Sequence, residues 1–481
     1  INTALWPSIN NFDRALSFGR DETVESKLDK LESLIVGHYG RPLEDVRFIA
    51  SMLAIPCEER YGPIVMTPQK FKDETLRTLV DLTEAAASKR PSVMLFEDLH
   101  WADPTTLEVL DLAISRVKTL PLLIVLTCRP EFENRWTGGQ GVTSLDLSRL
   151  TRAQSDALLF GVAGGKKLPD ELLEEILART DGVPLFVEEL TKAVLESGEL
   201  KEEADRYEYA GNTRSLIIPV TLRDSLMARL DRYMPVKEVA QIGAAIGREF
   251  SYELLAEVAP MPKAQLDKAL GQLIDSGLAF VRGAPPEATY TFKHALVQDA
   301  AYDSLLKSRR QELHGKIADG IRRRFPETAE SEPEVLAHHL TVAGDAHAAI
   351  PLWQQAGESA MGRMALSEAI SYLNRGLSLV SSLEPSRDRD ARELALRTPL
   401  GTAWMGLKGW ADNEVWNSFQ PGLALAKALD RKDPMLPILW GMFINVMCQG
   451  RVAESIAWAH EILDVGNETG ADDYLIAGHN C

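Results

Sequence analysis

Two short stretches of the chain are apolar without interruption: Val93-Met94-Leu95-Phe96 and Leu122-Leu123-Ile124-Val125-Leu126. Runs of this length without polar alternation predict strands buried on both faces, as in a parallel sheet covered by helices. Between them the period changes to that of a helix, with Leu107, Leu110, Ile114 and Val117 on one face. Asp103 stands where an N-cap belongs, and Pro104 at the first helical position. The pattern is strand–helix–strand, the βαβ unit.

Further on, helical periods take over. Leu147 to Thr151 reads as a strand end running into a helix start. Asp170 to Arg179 places Leu172, Leu173, Ile176 and Leu177 on one side and stops at Asp181-Gly182. Gly182-Val183-Pro184-Leu185 then opens a helix that runs through Glu196 and ends at Gly198. Residues 199–217 are polar with little period and read as a hairpin or linker.

Three helical stretches follow, about Val236–Ile246, Tyr252–Val258 and Pro262–Ser276. Two extended runs, Ala279–Arg282 and Thr289–Lys293, are joined by Gly283-Ala284-Pro285-Pro286. Three helices and a hairpin make a winged-helix pattern. From Glu334 onward the chain is Ala-rich, amphipathic and helical, with turns at Gly344-Asp345 and Gly450-Arg451. Ala349-Ile350-Pro351-Leu352-Trp353 and Ala369-Ile370-Ser371-Tyr372-Leu373 have small/aromatic spacing similar to tetratricopeptide repeats. Stacked helix pairs of that kind offer a concave surface to a protein or small-molecule inducer, or serve as a plain scaffold.

Composition narrows the possible partners. The 481 residues suffice for about three domains. The net charge is −18, from 52 Lys+Arg against 70 Asp+Glu. A surface this acidic disfavours nucleic acid and anionic membranes unless basic residues are segregated. The densest basic group, Arg322-Arg323-Arg324, reads as a helix end complementing the helix dipole. The helix that would read a DNA groove carries Lys263, Asp267, Lys268 and Asp275, two of each sign, which argues against that use. The four cysteines form no CxxC pair and no zinc-type spacing, so a reduced, cytoplasmic compartment is expected. The longest apolar run, Met435 to Cys448, is interrupted by Pro437, Gly441 and Asn445 and predicts a buried helix rather than a membrane span. The chain opens on Ile1 and closes on Cys481 within repeat-like sequence, and we read it as a piece of a longer protein.

Candidate chemistry gathers at the strand ends. Glu97 and Asp98 follow the first apolar run, and Thr127-Cys128-Arg129 the second. Ligands of parallel α/β sheets bind at the carboxyl ends of the strands. Acids there can hold Mg²⁺ and orient a water for attack on a γ-phosphate, and an Arg beside them can contact phosphate charge. On pattern alone, a strand running into a helix-capping loop explains the same residues.

The longer string Leu95-Phe96-Glu97-Asp98-Leu99-His100-Trp101-Ala102-Asp103-Pro104-Thr105-Thr106-Leu107 resembles the Walker B segment of STAND-type ATPases, the signal-transduction relatives of AAA+ proteins. The resemblance is nearest to bacterial proteins in which this module follows a class III adenylate/guanylate cyclase domain; similar modules occur in large LuxR-type transcription activators. It implies an Mg²⁺-associated role for Glu97 and a water-activating, catalytic role for Asp98, with the two roles interchangeable between the acids. Thr127-Cys128-Arg129 resembles the family's Thr-x-Arg sensor. Gly182-Val183-Pro184-Leu185-Phe186-Val187-Glu188-Glu189 resembles its Gly-x-Pro lid, in which Pro184 would pack on adenine. Phe292-Lys293-His294 resembles the winged-helix motif whose His, here His294, contacts the ADP β-phosphate; the family's neighbouring Asp is Ala295 here, and a structural His at a helix start is the other reading.

A phosphate-binding loop of the form Gly-x-x-x-x-Gly-Lys-[Ser/Thr] is not found in these residues. Gly161-Val162-Ala163-Gly164-Gly165-Lys166-Lys167 has the wrong glycine spacing and no hydroxyl after the Lys, and it reads as a loop. In the resembled family the P-loop lies a few dozen residues before the point where this chain starts, and residues 1–90 would be the helical stretch that follows it.

The expected fold is therefore a partial α/β P-loop ATPase core (1–147), an all-α lid and linker (148–218), a winged-helix unit with following helices (219–330), and an α-solenoid of tetratricopeptide-like repeats (331–481). The expected function is a regulatory ATP/ADP- and Mg²⁺-dependent switch that forms nucleotide-dependent oligomers, carried in a nucleotide cyclase. A LuxR-type transcription regulator and an interaction scaffold with an inactive ATPase are the alternatives. Without its P-loop, the piece alone is expected to bind ATP poorly and to be inactive.

Overall fold

Side-chain caps open many of the helices. Thr23 and Thr67 each accept a backbone N–H three residues on, and Thr151 forms a full capping box with Gln154. The computed structural model describes residues 5–19, 22–116, 120–133, 135–139, 141–210, 221–231, 234–363 and 365–481. They divide into two compact units: residues 1–142 with 327–341 and 345–481, and residues 143–326 with 342–344.

The first unit begins with α1 (Trp6–Leu16), α2 (Val24–Glu32), α3 (Leu43–Met52), α4 (Glu58–Tyr61) and α5 (Pro68–Lys89). Leu28, Leu31, Ile35, Val46, Ile49 and Leu76 form their common core. Strand β1 (Ser92–Phe96), helix α6 (Pro104–Arg116) and strand β2 (Leu122–Leu126) follow. The two strands are parallel, with Val93 opposite Leu123 and Leu95 opposite Val125, so the strand–helix–strand pattern forms as expected. Asp103 caps α6 through Thr106, whose N–H donates to Oδ1 at 2.8 Å.

One expectation fails here. The strands are not buried on both faces: Val93 is 70% exposed, Leu95 57%, Leu123 59% and Val125 37%. Met94, Phe96, Ile124 and Leu126, on the other face, are half-buried. The physical reason is that this sheet has two strands and nothing among the described residues covers that face. The helix face is also partly open: Leu110 is buried, Leu107 and Ile114 are half-buried, and Val117 lies outside the described residues.

The second unit holds α7 (Arg152–Val162), α8 (Asp170–Thr180), α9 (Pro184–Leu195), the hairpin β3 (Leu200–Glu202) and β4 (Tyr207–Tyr209), α10 (Leu222–Asp231), α11 (Met234–Ile246), β5 (Glu249–Ser251), α12 (Tyr252–Val258), α13 (Lys263–Asp275), β6 (Ala279–Arg282), β7 (Thr289–Phe292), α14 (Ala295–Asp303) and α15 (Lys307–Arg324). Leu147 to Thr151 forms no strand; it is irregular backbone leading into α7. The hairpin falls inside 199–217, of which 211–217 lie outside the described residues. Strand β5 is too short to show a period in the sequence; it pairs with β7, giving the antiparallel order β5-β7-β6.

The chain re-enters the first unit through α16 (Pro326–Ser331) and continues as helices only: α17 (Pro333–Ala343), α18 (Ala346–Gly362), α19 (Leu366–Ser381), α20 (Arg387–Lys408), α21 (Asn413–Leu429), α22 (Met435–Cys448), α23 (Val452–Thr469) and α24 (Asp472–Asn480). Each of these from α18 on packs against the next in sequence. Trp353 is buried against Tyr372, ring centroids 5.7 Å apart, so the small/aromatic spacing marks an inter-helix contact. Among the described residues no helix is long and apolar enough to cross a membrane.

Candidate functional site

The carboxyl ends of β1 and β2 are sewn together. Thr127 N–H donates to Phe96 O at 2.9 Å, and Leu99 N–H to Thr127 O at 2.9 Å. Between these, Asp98 N–H donates to Thr127 Oγ1 at 3.0 Å. This clasp holds Asp98 in the left-handed region, φ 59° and ψ 45°, a conformation that Asp tolerates better than most residues. Glu97 is exposed and Asp98 half-buried. The two acids and the Thr-Cys-Arg segment therefore lie at one end of the sheet, as their position in the sequence implies.

A short turn of 3₁₀-helix, Leu99–Trp101, leaves this point. Arg129 lies over the Trp101 ring at 5.5 Å, a cation–π contact that aims its guanidinium. His100, Arg129, Glu131, Phe132, Glu133 and Arg135 line an open cavity of about 820 Å³. Arg135 pairs with Asp111 of α6 at 2.9 Å. His100 is the residue that the sequence reading left without a role. Its ring packs on Trp101 at 4.7 Å, and both ring nitrogens are buried without a hydrogen-bond partner. A buried imidazole with neither nitrogen engaged is uncommon. The only signal for it in the sequence is its place inside the string around Glu97 and Asp98.

Among the described residues no group of three or more His, Cys, Asp or Glu side chains is arranged to hold a metal ion. That is compatible with Mg²⁺, which is commonly held by one or two carboxylates together with substrate phosphates; Glu97 and Asp98 supply that number.

Pro184 and His294 belong to the second unit. Pro184 is the first residue of α9. Its turn depends on Gly182, whose φ is +69° and where a Cβ would meet Leu150 O at 2.4 Å. Leu150 N–H in turn donates to Gly182 O at 2.7 Å. Only glycine meets both demands.

His294 occupies the N-cap position of α14 without capping it, and its Nε2 is buried without a hydrogen-bond partner. Burial, followed by the charge of Lys293, holds its pKa below the usual histidine value against the pull of Glu189 and Glu188. Lys293 donates to Glu188 of α9 at 3.2 Å, so His294 lies beside the helix that Pro184 begins. The structure thus sorts the six candidate residues into two groups, one in each unit.

Sequence reading missed the polar centre of the second unit. Glu189 of α9 and Arg229 of α10, both buried, form an ion pair. Arg229 also donates to both carboxylate oxygens of Glu196, at 3.1 Å each, and to Ser276 O at the end of α13. Glu189 falls in a predicted helix, where a charge reads as solvated, and no helix is predicted over Arg229, so nothing in the pattern marks the pair as interior. Two of the charged residues of α13 are engaged locally: Tyr252 donates to Asp267 at 2.7 Å and Lys263 lies over the Tyr252 ring. All four cysteines are free thiols.

No family model matches this chain. An uncharacterized protein from Rhizobium meliloti (strain 1021) is 27% identical over 388 residues, 79% of this chain and 37% of that protein. The chain thus spans little more than a third of that relative's length. Among solved structures, a Signal Transduction ATPase with Numerous Domains (STAND) protein with a tetratricopeptide repeat sensor from Pyrococcus horikoshii aligns over 91% of this chain and 78% of its own, at 12% identity and a TM-score of 0.37. That is a loose likeness.

Proposed function

We propose that the chain is the regulatory part of an ATP-binding signal-transduction switch of the STAND type, in which residues 1–147 supply the acid pair and sensor side of a nucleotide site. The observation that carries this reading is the Asp98–Thr127 clasp. It ties Asp98 to Thr127 at one end of a parallel strand pair, and Arg129, two residues on, lines an open cavity. Glu97 and Asp98 would hold Mg²⁺ and position water, and Arg129 would contact phosphate. Bound Mg²⁺ would supply charge neutralisation at the phosphates.

The bare apolar sheet face supports a site completed by further elements. Burying what remains exposed of its four side chains would contribute roughly 1 kcal/mol each, and a contiguous patch of this kind marks an interaction surface. On this reading the missing phosphate loop belongs to a segment that covers this face in the intact protein. Pro184 and His294 would report nucleotide state from a lid and a winged-helix unit, and the helical array α17–α24 would take the inducer. The output domain, a nucleotide cyclase on the resemblance of residues 95–107, lies on other parts of the protein.

The test is binding of fluorescent ATP and ADP with Mg²⁺ to this chain and to the longer native protein that contains it. Tight binding by the longer protein alone, weakened at least tenfold by Glu97→Ala with Asp98→Ala, is the expected result. Binding by neither form sinks the proposal and favours an interaction scaffold.

A further inference from the structure

Two carboxyl groups from distant parts of the chain meet inside the first unit. Asp103, 4% exposed, precedes α6; Glu368, 3% exposed, lies on α19 of the helical array. Asp103 is fully engaged as an acceptor. Its Oδ1 takes N–H bonds from Leu5 at 3.2 Å and Thr106 at 2.8 Å, and its Oδ2 takes the Thr106 hydroxyl at 2.5 Å. Glu368 is not. Its Oε1 takes the Thr105 hydroxyl at a long 3.4 Å, and its Oε2 is buried without a hydrogen-bond donor.

Among the described residues no cation forms an ion pair with either carboxyl, although the charge of Lys72 is felt at Glu368. Lys72 of α5 is committed to Glu108 at 2.7 Å. Arg363, which follows α18, lines a cavity of about 20 Å³ with Lys72, Thr105 and Leu5, room for about one water. Glu334 of α17 and Arg375 of α19 act on the adjoining Tyr372, which Glu368 also faces. Two buried carboxyls in contact cannot both carry charge without a large penalty. Since Asp103 already accepts three hydrogen bonds, the proton resides on Glu368, which can then donate to Asp103.

We propose that Asp103 and Glu368 form a proton-dependent seat fastening helix α19 of the helical array to the N-terminus of α6, the helix that follows the Glu97-Asp98 acid pair. With its proton the seat is closed; without it the two carboxylates repel and the contact loosens. The array and the segment carrying the acid pair are thereby coupled through one titrating contact. This inference stands whether or not the site binds nucleotide.

Burial, then the charge of Asp103, pushes Glu368 up to about 7 from its usual 4.5. A carboxyl raised in the folded state stabilises fully below its unfolded value. The seat is therefore intact below about pH 4.5, weakens as pH rises and is lost as it passes through about 7. Glu332, beside Glu334 and Asp13, is raised to about 7 by burial and titrates in the same direction, so the test must separate the two.

The experiment compares the full chain with Glu368→Gln and, separately, Glu332→Gln at pH 5.5 and 8.5. Glu368→Gln keeps a donor and removes the charge. It should melt with the wild type at pH 5.5 and several degrees above it at pH 8.5. Hydrogen exchange, corrected for its intrinsic pH dependence, should show residues 104–116 and 366–381 opening at pH 8.5 in the wild type and in Glu332→Gln, but not in Glu368→Gln. A Glu368→Gln variant no more stable than wild type at pH 8.5 would overturn the proposal. So would wild-type exchange in those two segments that is unchanged between the two pH values, a result that needs no variant to fold.

Discussion

The Asp98 backbone N–H donates to the Thr127 hydroxyl at 3.0 Å across the ends of two parallel strands, so the residue expected to activate water is held by the residue expected to sense phosphate. Removing that hydroxyl should therefore act on both. Thr127→Val keeps the side-chain volume and loses the acceptor, at a stability cost of about 1 kcal/mol; Thr127→Ser should cost less than half as much. In the longer native protein Thr127→Val should also weaken Mg²⁺-nucleotide binding severalfold, with Thr127→Ser close to wild type. Thermal melting reads the first effect and nucleotide titration the second.

Arg229 and Glu189 make the buried ion pair of the second unit. Truncating one partner leaves the other charged in the interior. Arg229→Met should destabilise by about 3–5 kcal/mol, and adding Glu189→Gln should recover part of the loss. Urea denaturation followed by hydrogen exchange in residues 184–195 and 222–231 locates the effect. Equal stability of wild type and Arg229→Met would show that the pair contributes nothing net.

Phe419 is fully buried in the helical array between two helix glycines. A Cβ at Gly401 would meet its ring at 2.4 Å, and one at Gly441 at 2.3 Å. Overpacking a rigid contact of this kind costs about 1–3 kcal/mol, so Gly401→Ala and Gly441→Ala should each lower the melting temperature. Gly422→Ala is the control: its Cβ would meet Ile438 at an ordinary 3.4 Å, and the gain in helix propensity should leave the array at least as stable.

His294 is held below its usual pKa by burial. A histidine with a depressed folded pKa contributes stability that is present above its unfolded value and lost as pH falls below it. The second unit should therefore weaken as pH drops through about 6.5, and His294→Gln should flatten that dependence. Hydrogen exchange in residues 289–303 at pH 5 and pH 7.5, corrected for intrinsic rates, distinguishes a titrating His294 from general acid destabilisation.

Much of the local structure is legible in the residues. Caps such as Asp103 and Thr151 start helices because a side-chain oxygen satisfies N–H groups that the helix itself leaves open. The runs 93–96 and 122–126 form parallel strands, and Met435–Cys448 forms one helix with the bounds its apolar run predicts. Glu97, Asp98, Thr127 and Arg129 fall where strand ends must put them. Strand β5, by contrast, has three residues, fewer than a period needs to show, and Leu147 lacks the partner that would make it a strand.

Element type, caps and the residues that stand at strand ends are local properties, set by φ/ψ preferences and hydrogen bonds spanning a few positions. What is buried against what depends on long-range packing. Apolar alternation cannot report that Val93 and Leu95 face open space, since a strand has the same residues whether or not its cover is present. Nor can charge reveal Arg229 with Glu189, or Asp103 with Glu368, as interior pairs. Those contacts join positions 40 and 265 residues apart, and the cost of burying each charge is set by which partner arrives from the other side.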